Sequence, residues 1–516
     1  MGVIDKMRKK SSAISLVLAL TMSAALTLSG CGSKSNNEGS EPTSSQAAEG
    51  AQQEETVNLK VAFPSLVQPE DLQLVQDELN KLTKAKINAT VTLTPISSSN
   101  WSQQMNLMLS SNEELDLTFS PGNYSLTVGK GQLQDITEVL DEHGSGIKKA
   151  LGDDFLNAMK IGGKIYGVPT NRNMGTGYGV VFRKDLLDKT QISVDDVKTF
   201  NDIEPVLKAF KDKEPGITPI TTQGAGGTFI DFLPLGDSLG DGFGILPNYD
   251  NDLKVVNQYE MPEYAERLKT IYKWYQEAYV LKDIATTQTM SYELYKANTL
   301  FATAAQLPPG FVEGTLPILS GGGEYVKKEL SPPVVTTKDV TMIMWGIPTS
   351  AKHADRSMQF LNLMFSDPEV INMLNFGIEG KHYVKVEGTD NVIDFPEGLT
   401  AANHPYYWDL SWLFGNSFLS YVRKGEDPNK WTEMEAFNQN AVKSKALGFA
   451  FDSTPVKAEI TALTNVMNQY KKALETGILD PEKHLPEFNA KLKSAGIEKV
   501  IAEKQKQLDD WAQQNK

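Results

Sequence analysis

The chain has 516 residues, 40% apolar and 22% charged, which fits a soluble globule with more than one core and excludes wholesale disorder and a polytopic membrane protein. Its 65 acidic and 50 basic residues leave a net charge of −15, which repels phosphate backbones and argues against nucleic acid as a partner. A single cysteine removes every intrachain disulfide and every cysteine-rich zinc site.

Residues 1–30 open with Lys6, Arg8, Lys9 and Lys10 and continue in an apolar run from Ala13 to Leu28. That is a secretory signal, since about 16 apolar residues fall short of the ~20 that span a bilayer. Leu28-Ser29-Gly30-Cys31 resembles the bacterial lipobox, so Cys31 is expected to carry the lipid after cleavage. Cleavage removes one acid and four bases and takes the charge from −15 to −18. Residues 31–56 are then the lipidated cysteine and a flexible Ser/Asn/Gly/Glu tether, so that the membrane is touched through the anchor alone.

After the tether, Val57–Phe63 alternates as a strand, Asp71–Leu82 has helical spacing, and Ala89–Leu93 alternates again. Trp101–Leu109 reads as a helix and Leu115–Phe119 as a third strand running into Ser120-Pro121-Gly122-Asn123-Tyr124. This alternation predicts an α/β lobe whose ligands sit beyond the carboxyl ends of the strands. Residues 165–169 and 179–182 are strand-like pieces joined by a glycine-rich stretch that suits a crossing between lobes, and Gly175-x-Gly177-x-Gly179 within it reads as a hinge turn. Val340–Ile347 reads as the returning strand, followed by helices at 354–365 and from Asp367-Pro368 to Gly377. From Pro455 the chain is helical to its end.

Three stretches carry a resemblance. They are Gly162-Gly163-Lys164-Ile165-Tyr166-Gly167-Val168-Pro169 followed by Phe182-Arg183-Lys184-Asp185-Leu186-Leu187; Trp345-Gly346-Ile347-Pro348 ahead of Ser357–Leu363; and Phe376–Tyr383 with Leu485–Leu492 in the tail. In these the chain resembles the extracellular solute-binding proteins of ABC importers, family 1, and within it a Gram-positive lipoprotein subgroup with an extra C-terminal domain. The resemblance implies a two-lobe α/β clamp, each lobe a largely parallel sheet flanked by helices, with a helical C-terminal extension. It places the N-terminal lobe at 57–168 and 345–385, the C-terminal lobe at 178–340 and 400–455, and the helical region at 456–516. It also implies a monomer on the outer face of the cytoplasmic membrane that delivers an oligosaccharide to permease subunits, without cofactor or metal.

The candidate ligand residues follow from that frame. Seven aromatics lie between Tyr406 and Tyr421, and at helical spacing most fall on one stripe, leaving Trp408 and Trp412 off it to offer flat faces to sugar rings. The resembled sugar binders carry a stacking tryptophan near the position of Trp412. Tyr124 and Trp345 face the expected cleft by topology, and Trp101 opens a helix beside it. Asn171 and Arg172, at the first crossing, are placed to supply directed hydrogen bonds.

Gly236-Asp237-Ser238-Leu239-Gly240 satisfies G-x-S-x-G, so a secreted lipoprotein hydrolase with Ser238 as nucleophile is the competing reading. No Asp-x-x-His pair follows it to activate the serine, and no His-x-x-x-His pair exists for zinc. Asn248-x-Asp250-x-Asp252 begins like a calcium loop but has Leu253 at the glycine position and Tyr259 at the bidentate glutamate position.

Overall fold

The computed structural model describes residues 55–515 apart from 112, 120–123 and 409. The signal, Cys31, nearly all of the tether and the tip of the loop after the third strand lie outside the described residues.

The first sheet grows from two parallel strands, Val57–Ser65 and Ala89–Ser97, with the helix Leu72–Ile87 between them. Val75 and Leu79 bury the helix face as its spacing predicts, and the buried Gln76 side chain accepts from the Leu93 N–H at 2.7 Å, fixing helix to sheet. Leu117–Phe119 adds in parallel, then Met344–Gly346 and Val168–Pro169 add antiparallel. The second sheet has the order Val442–Lys443, Tyr325–Val335, Thr176–Arg183, Leu300–Gln306, Thr218–Thr222, again with two parallel and two antiparallel pairings. Each lobe is therefore α/β around a mixed sheet, less parallel than expected. Two separate apolar cores, one around Phe63 and Trp345 and one around Phe182 and Trp274, make the molecule two-lobed.

Register sets which ends of the strands meet. Trp345 pairs with Phe119 and Met344 with Pro169, so the carboxyl ends of the first three strands lie at the end where the chain leaves after Pro169 and returns at Met344. In the second sheet Gln306 pairs with Tyr178 and Val334 with Thr176, so the carboxyl ends of Leu300–Gln306 and Thr218–Thr222 also lie at the crossing.

Several local expectations are corrected. Gly177 and Gly179 lie inside a strand rather than in a hinge turn; a Cβ on Gly179 would stand 2.1 Å from the Lys328 carbonyl oxygen, so glycine is required by the neighbouring strand's approach. The return crossing holds a short helix, Thr337–Thr341, before its strand. The described residues of 406–421 form no α-helix: Gly415 turns at φ 44° against Met364, and only the short 3₁₀ turn Ser417–Leu419 is regular among them. Tyr406, Trp408, Leu410, Leu413 and Phe414 pack in the first core, whereas the sequence put 400–455 in the C-terminal lobe. The chain crosses between lobes a third time, through the helix Lys430–Asn440 into the strand Val442–Lys443.

The C-terminal region folds as expected into Lys457–Glu475, Pro481–Ser494 and Ile497–Gln514. Its helices bury Leu463, Leu474, Phe488, Leu492 and Val500 in the second core. Asp480 caps the middle helix by accepting from the Glu482 N–H at 3.0 Å, with Pro481 at the first helical position.

Candidate functional site: the crossings and the strand ends around them

The three crossings are bound to each other by polar side chains. Asn438, buried on the third, accepts from the Met174 and Gly175 N–H groups at 2.9 and 3.0 Å and donates to the Arg172 carbonyl at 2.6 Å. Arg172 itself donates through Nη2 to the Asp339 carbonyl at 2.6 Å, joining the first crossing to the second. Burial lowers the guanidinium's pKa to about 10, so it stays charged at neutral pH; burial in turn raises the Asp339 carboxyl above its ordinary value. Asn171 donates to the Asn416 side chain at 3.0 Å, and its N–H to the Gly415 carbonyl at 2.9 Å. Asn171 and Arg172 are expected ligand contacts; in the structure Arg172 joins two crossings, and Asn171 ties the first crossing to Gly415 and Asn416.

The aromatic candidates separate. Trp345 is fully buried, donates its indole N–H to the Leu413 carbonyl at 2.8 Å and stacks on Phe414. Trp408 is 2% exposed, edge-on to Phe63 and Tyr406. Tyr124 is buried, its hydroxyl donating to the Met159 carbonyl at 2.6 Å and accepting from the Tyr166 N–H at 3.1 Å; burial raises its pKa. Trp101 is buried edge-on to Phe119. These four are core residues under the strand ends.

Trp412 alone of the seven is exposed, at 39%. Its carbonyl accepts from the buried Thr170 hydroxyl at 3.0 Å, and the next residue, Leu413, receives the Trp345 indole N–H. The tryptophan is thus pinned through its main chain at the start of the first crossing, with part of its surface open to solvent. Around that end the first lobe exposes Leu66, Val67 and Gln68 after its first strand, Ser98–Asn100 after its second, and Met342 on the return crossing. The second lobe brings Gln223–Gly227 and Gln306. A flat indole beside apolar and uncharged polar groups suits a ligand with apolar faces and many hydroxyls. Leu66, Val67 and Met342 were missed from sequence because a lone aliphatic after a strand carries no signal.

The competing sites dissolve on inspection. Gly236–Asp237 is a short strand paired antiparallel with Leu246–Pro247, and the buried Asp237, its carboxyl raised by burial, accepts from the Leu239 N–H at 2.9 Å in the turn that follows. Asp250 and Asp252 face Lys445 at 2.7 and 3.8 Å. Among the described residues no group of three or more His, Cys, Asp or Glu is placed to hold a metal, and no helix is long and apolar enough to cross a membrane.

Residues 64–371 match the family described as "Bacterial extracellular solute-binding protein". A Streptococcus pneumoniae serotype 4 protein, "Carbohydrate ABC transporter substrate-binding protein", is 31% identical over 450 residues, 87% of this chain and 90% of its own. The chain belongs to the bacterial extracellular solute-binding proteins. Residues 445–513 of this solute-binding protein match a domain of unknown function, the appended domain expected from the tail. Lipoprotein LipO of Bacillus subtilis is 23% identical over 408 residues, 74% of this chain and 75% of its own. The crystal structure of the N-glycan transport solute-binding protein NgtS from Streptococcus pneumoniae superposes with a TM-score of 0.78 at 29% identity, covering 89% of this chain and all of that one. The same protein in complex with Man5GlcNAc gives 0.66. An alginate-binding protein at 17% identity and a TM-score of 0.57 shares the fold. A solute-binding family sets aside the hydrolase reading of Ser238.

Proposed function

We propose that this solute-binding protein captures an oligosaccharide between its lobes and delivers it to the permease subunits of an ABC importer, working as a monomer tethered outside the membrane by lipid on Cys31. The observation that carries the ligand class is Trp412, an indole held in solvent at the strand ends in a chain related to a carbohydrate-transport protein. Three facts support it further. The relative NgtS is described as binding Man1GlcNAc and Man5GlcNAc. Agreement with NgtS falls from 0.78 to 0.66 in the glycan complex, in keeping with two lobe arrangements of one such protein. The lipobox at Cys31 accords with a relative being called a lipoprotein.

The test is calorimetric titration of the tether-deleted protein with mannose- and N-acetylglucosamine-containing oligosaccharides, with peptides and simple esters alongside. Saturable binding of one glycan set without turnover is expected, and Trp412→Ala should weaken it about thirtyfold, the ~2 kcal/mol typical of an aromatic anchor. Trp408→Ala is the wrong probe, because emptying a buried indole site costs about 3–5 kcal/mol of stability whatever the ligand. Ester turnover, or peptide binding indifferent to Trp412, would overturn the reading. Incorporation of labelled palmitate into the full chain, lost in Cys31→Ala, tests the anchor.

A further inference from the structure

The appended domain places a buried ion network directly under one loop at the strand ends. Gln223–Gly227 leaves the second sheet at the carboxyl end of Thr218–Thr222 and is anchored there by Gln223, whose N–H donates to the Ala304 carbonyl at 2.9 Å and whose side chain accepts from the Gln306 N–H at 3.0 Å. The loop has little packing of its own: Gly224, Gly226 and Gly227 bring no side chains, and Gly226 turns at φ 68°. Within the lobe the Thr222 hydroxyl reaches the Gly224 and Gly227 carbonyls at 3.4 and 3.3 Å and the Ala225 N–H meets Met290 Sδ at 3.3 Å, while the residues that follow, Thr228 and Asp231, are held by the helix Lys457–Glu475. Thr228 donates its hydroxyl to the Glu475 carboxylate at 2.7 Å, Tyr264 donates to the other oxygen at 3.0 Å, and Glu475 is wholly buried. Lys471 donates to Asp231 at 2.9 Å and stands 3.5 Å from Glu475, while a Cβ on Gly226 would lie 2.9 Å from the Lys472 amine. Thr228 and Asp231 also cap each other's backbone N–H groups at the start of the short helix Phe229–Phe232. A glycine-rich segment loses much conformational freedom on ordering, so contacts from outside must hold it.

We propose that the C-terminal domain serves as the backing of the ligand cleft, with Glu475 and Lys471 as positioning residues that hold the loop 223–232 in its ligand-receiving shape. This rests on the oligosaccharide reading above. Neither residue touches the ligand; the loop does, and the domain supplies the rigidity.

The experiment compares Glu475→Gln and Lys471→Met with Gln505→Ala in otherwise intact tether-deleted protein. Gln505 belongs to the same domain and bonds the same lobe, at the Val255 N–H and the Leu253 carbonyl, but lies away from the loop. Hydrogen exchange without ligand should rise in peptides spanning 223–232 for the first two variants and not for the third. If the loop then holds its receiving shape about one-tenth of the time, affinity for Man5GlcNAc as probe falls about tenfold, while Gln505→Ala leaves it within twofold. Unchanged exchange in 223–232, or equal change in all three variants, would overturn the proposal. So would loosened exchange with unaltered affinity. If the wild type binds no glycan, the oligosaccharide reading and the cleft-backing role fall together, while the exchange arm still decides whether these residues hold the loop.

Discussion

Asn438→Ala tests whether the three crossings are held as one unit. The substitution deletes three buried hydrogen bonds, two accepted from the Met174 and Gly175 N–H groups and one donated to the Arg172 carbonyl. All three partners are main-chain groups in a buried stretch and cannot turn to find replacements. At about 1 kcal/mol net per bond the loss is about 3 kcal/mol, and it grows where a partner stays dry and unpaired. Asn440→Ala, two residues along the same helix and exposed, should stay within about 0.5 kcal/mol of wild type. Urea unfolding followed by tryptophan fluorescence reads both, with an unchanged slope marking a change in stability rather than in the unfolded state. If Asn438→Ala lies within about 0.5 kcal/mol of wild type, the side chain is not the tie between crossings, and the account of the hinge is wrong.

Two further predictions concern stability. Lys504, fully buried on the last helix, is ion-paired with the solvent-reached Asp241 and donates to the Phe243 and Gly244 carbonyls at 2.9 and 3.3 Å; Lys504→Met leaves those carbonyls without their donor and should cost about 2 kcal/mol in the same urea assay, and a neutral result would mean they find other partners. His382 accepts the Ile378 N–H on Nδ1 and meets Asp71 through Nε2, and burial lowers its pKa despite that carboxylate. The folded protein therefore resists protonation that the unfolded chain accepts near 6.5, so this contribution is complete above pH ~6.5 and is lost as the pH falls through the lower folded value, by at most about 1.4 kcal/mol per pH unit. Burial raises Glu475 to about 7, so its effect runs the other way: the folded state holds the proton, and stability falls as pH rises from 4.5 toward 7. The check is accordingly the difference between wild type and His382→Gln across pH 5–7.5, which should slope; a flat difference would refute the lowering of the His382 pKa by burial.

Local periodicity made the regular elements legible. Val57–Ser65, Leu72–Ile87 and Lys457–Glu475 each depend on a pattern contained within themselves, and each formed close to where the pattern predicts. The segment 406–421 shows where that logic ends. Its aromatics recur at helical spacing, yet the spacing is set by partners remote in sequence: Phe63 receives Trp408 and Phe414, and Trp345 receives Phe414 and the Leu413 carbonyl. Nothing local distinguishes an aromatic that faces a core from one that faces a ligand. Asn438 was invisible for a related reason, since its partners are main-chain groups more than 260 residues away and any residue type could supply those.

Burial of Trp345, Trp408 and Trp101 also bears on why Trp412 stands out. A large aromatic in a flexible loop would fold back onto the nearest apolar surface, because covering it is worth roughly 25 cal/mol per Å². Here that surface is already filled by Phe414 and Phe119 against Trp345 and by Trp408 against Phe63, and the chain is fixed at the Trp412 and Leu413 carbonyls by the Thr170 hydroxyl and the Trp345 indole. The buried tryptophans thus do their part without touching a ligand: with that surface taken, Trp412 stays 39% exposed, and an apolar ring arriving from solution becomes the natural partner of its open face.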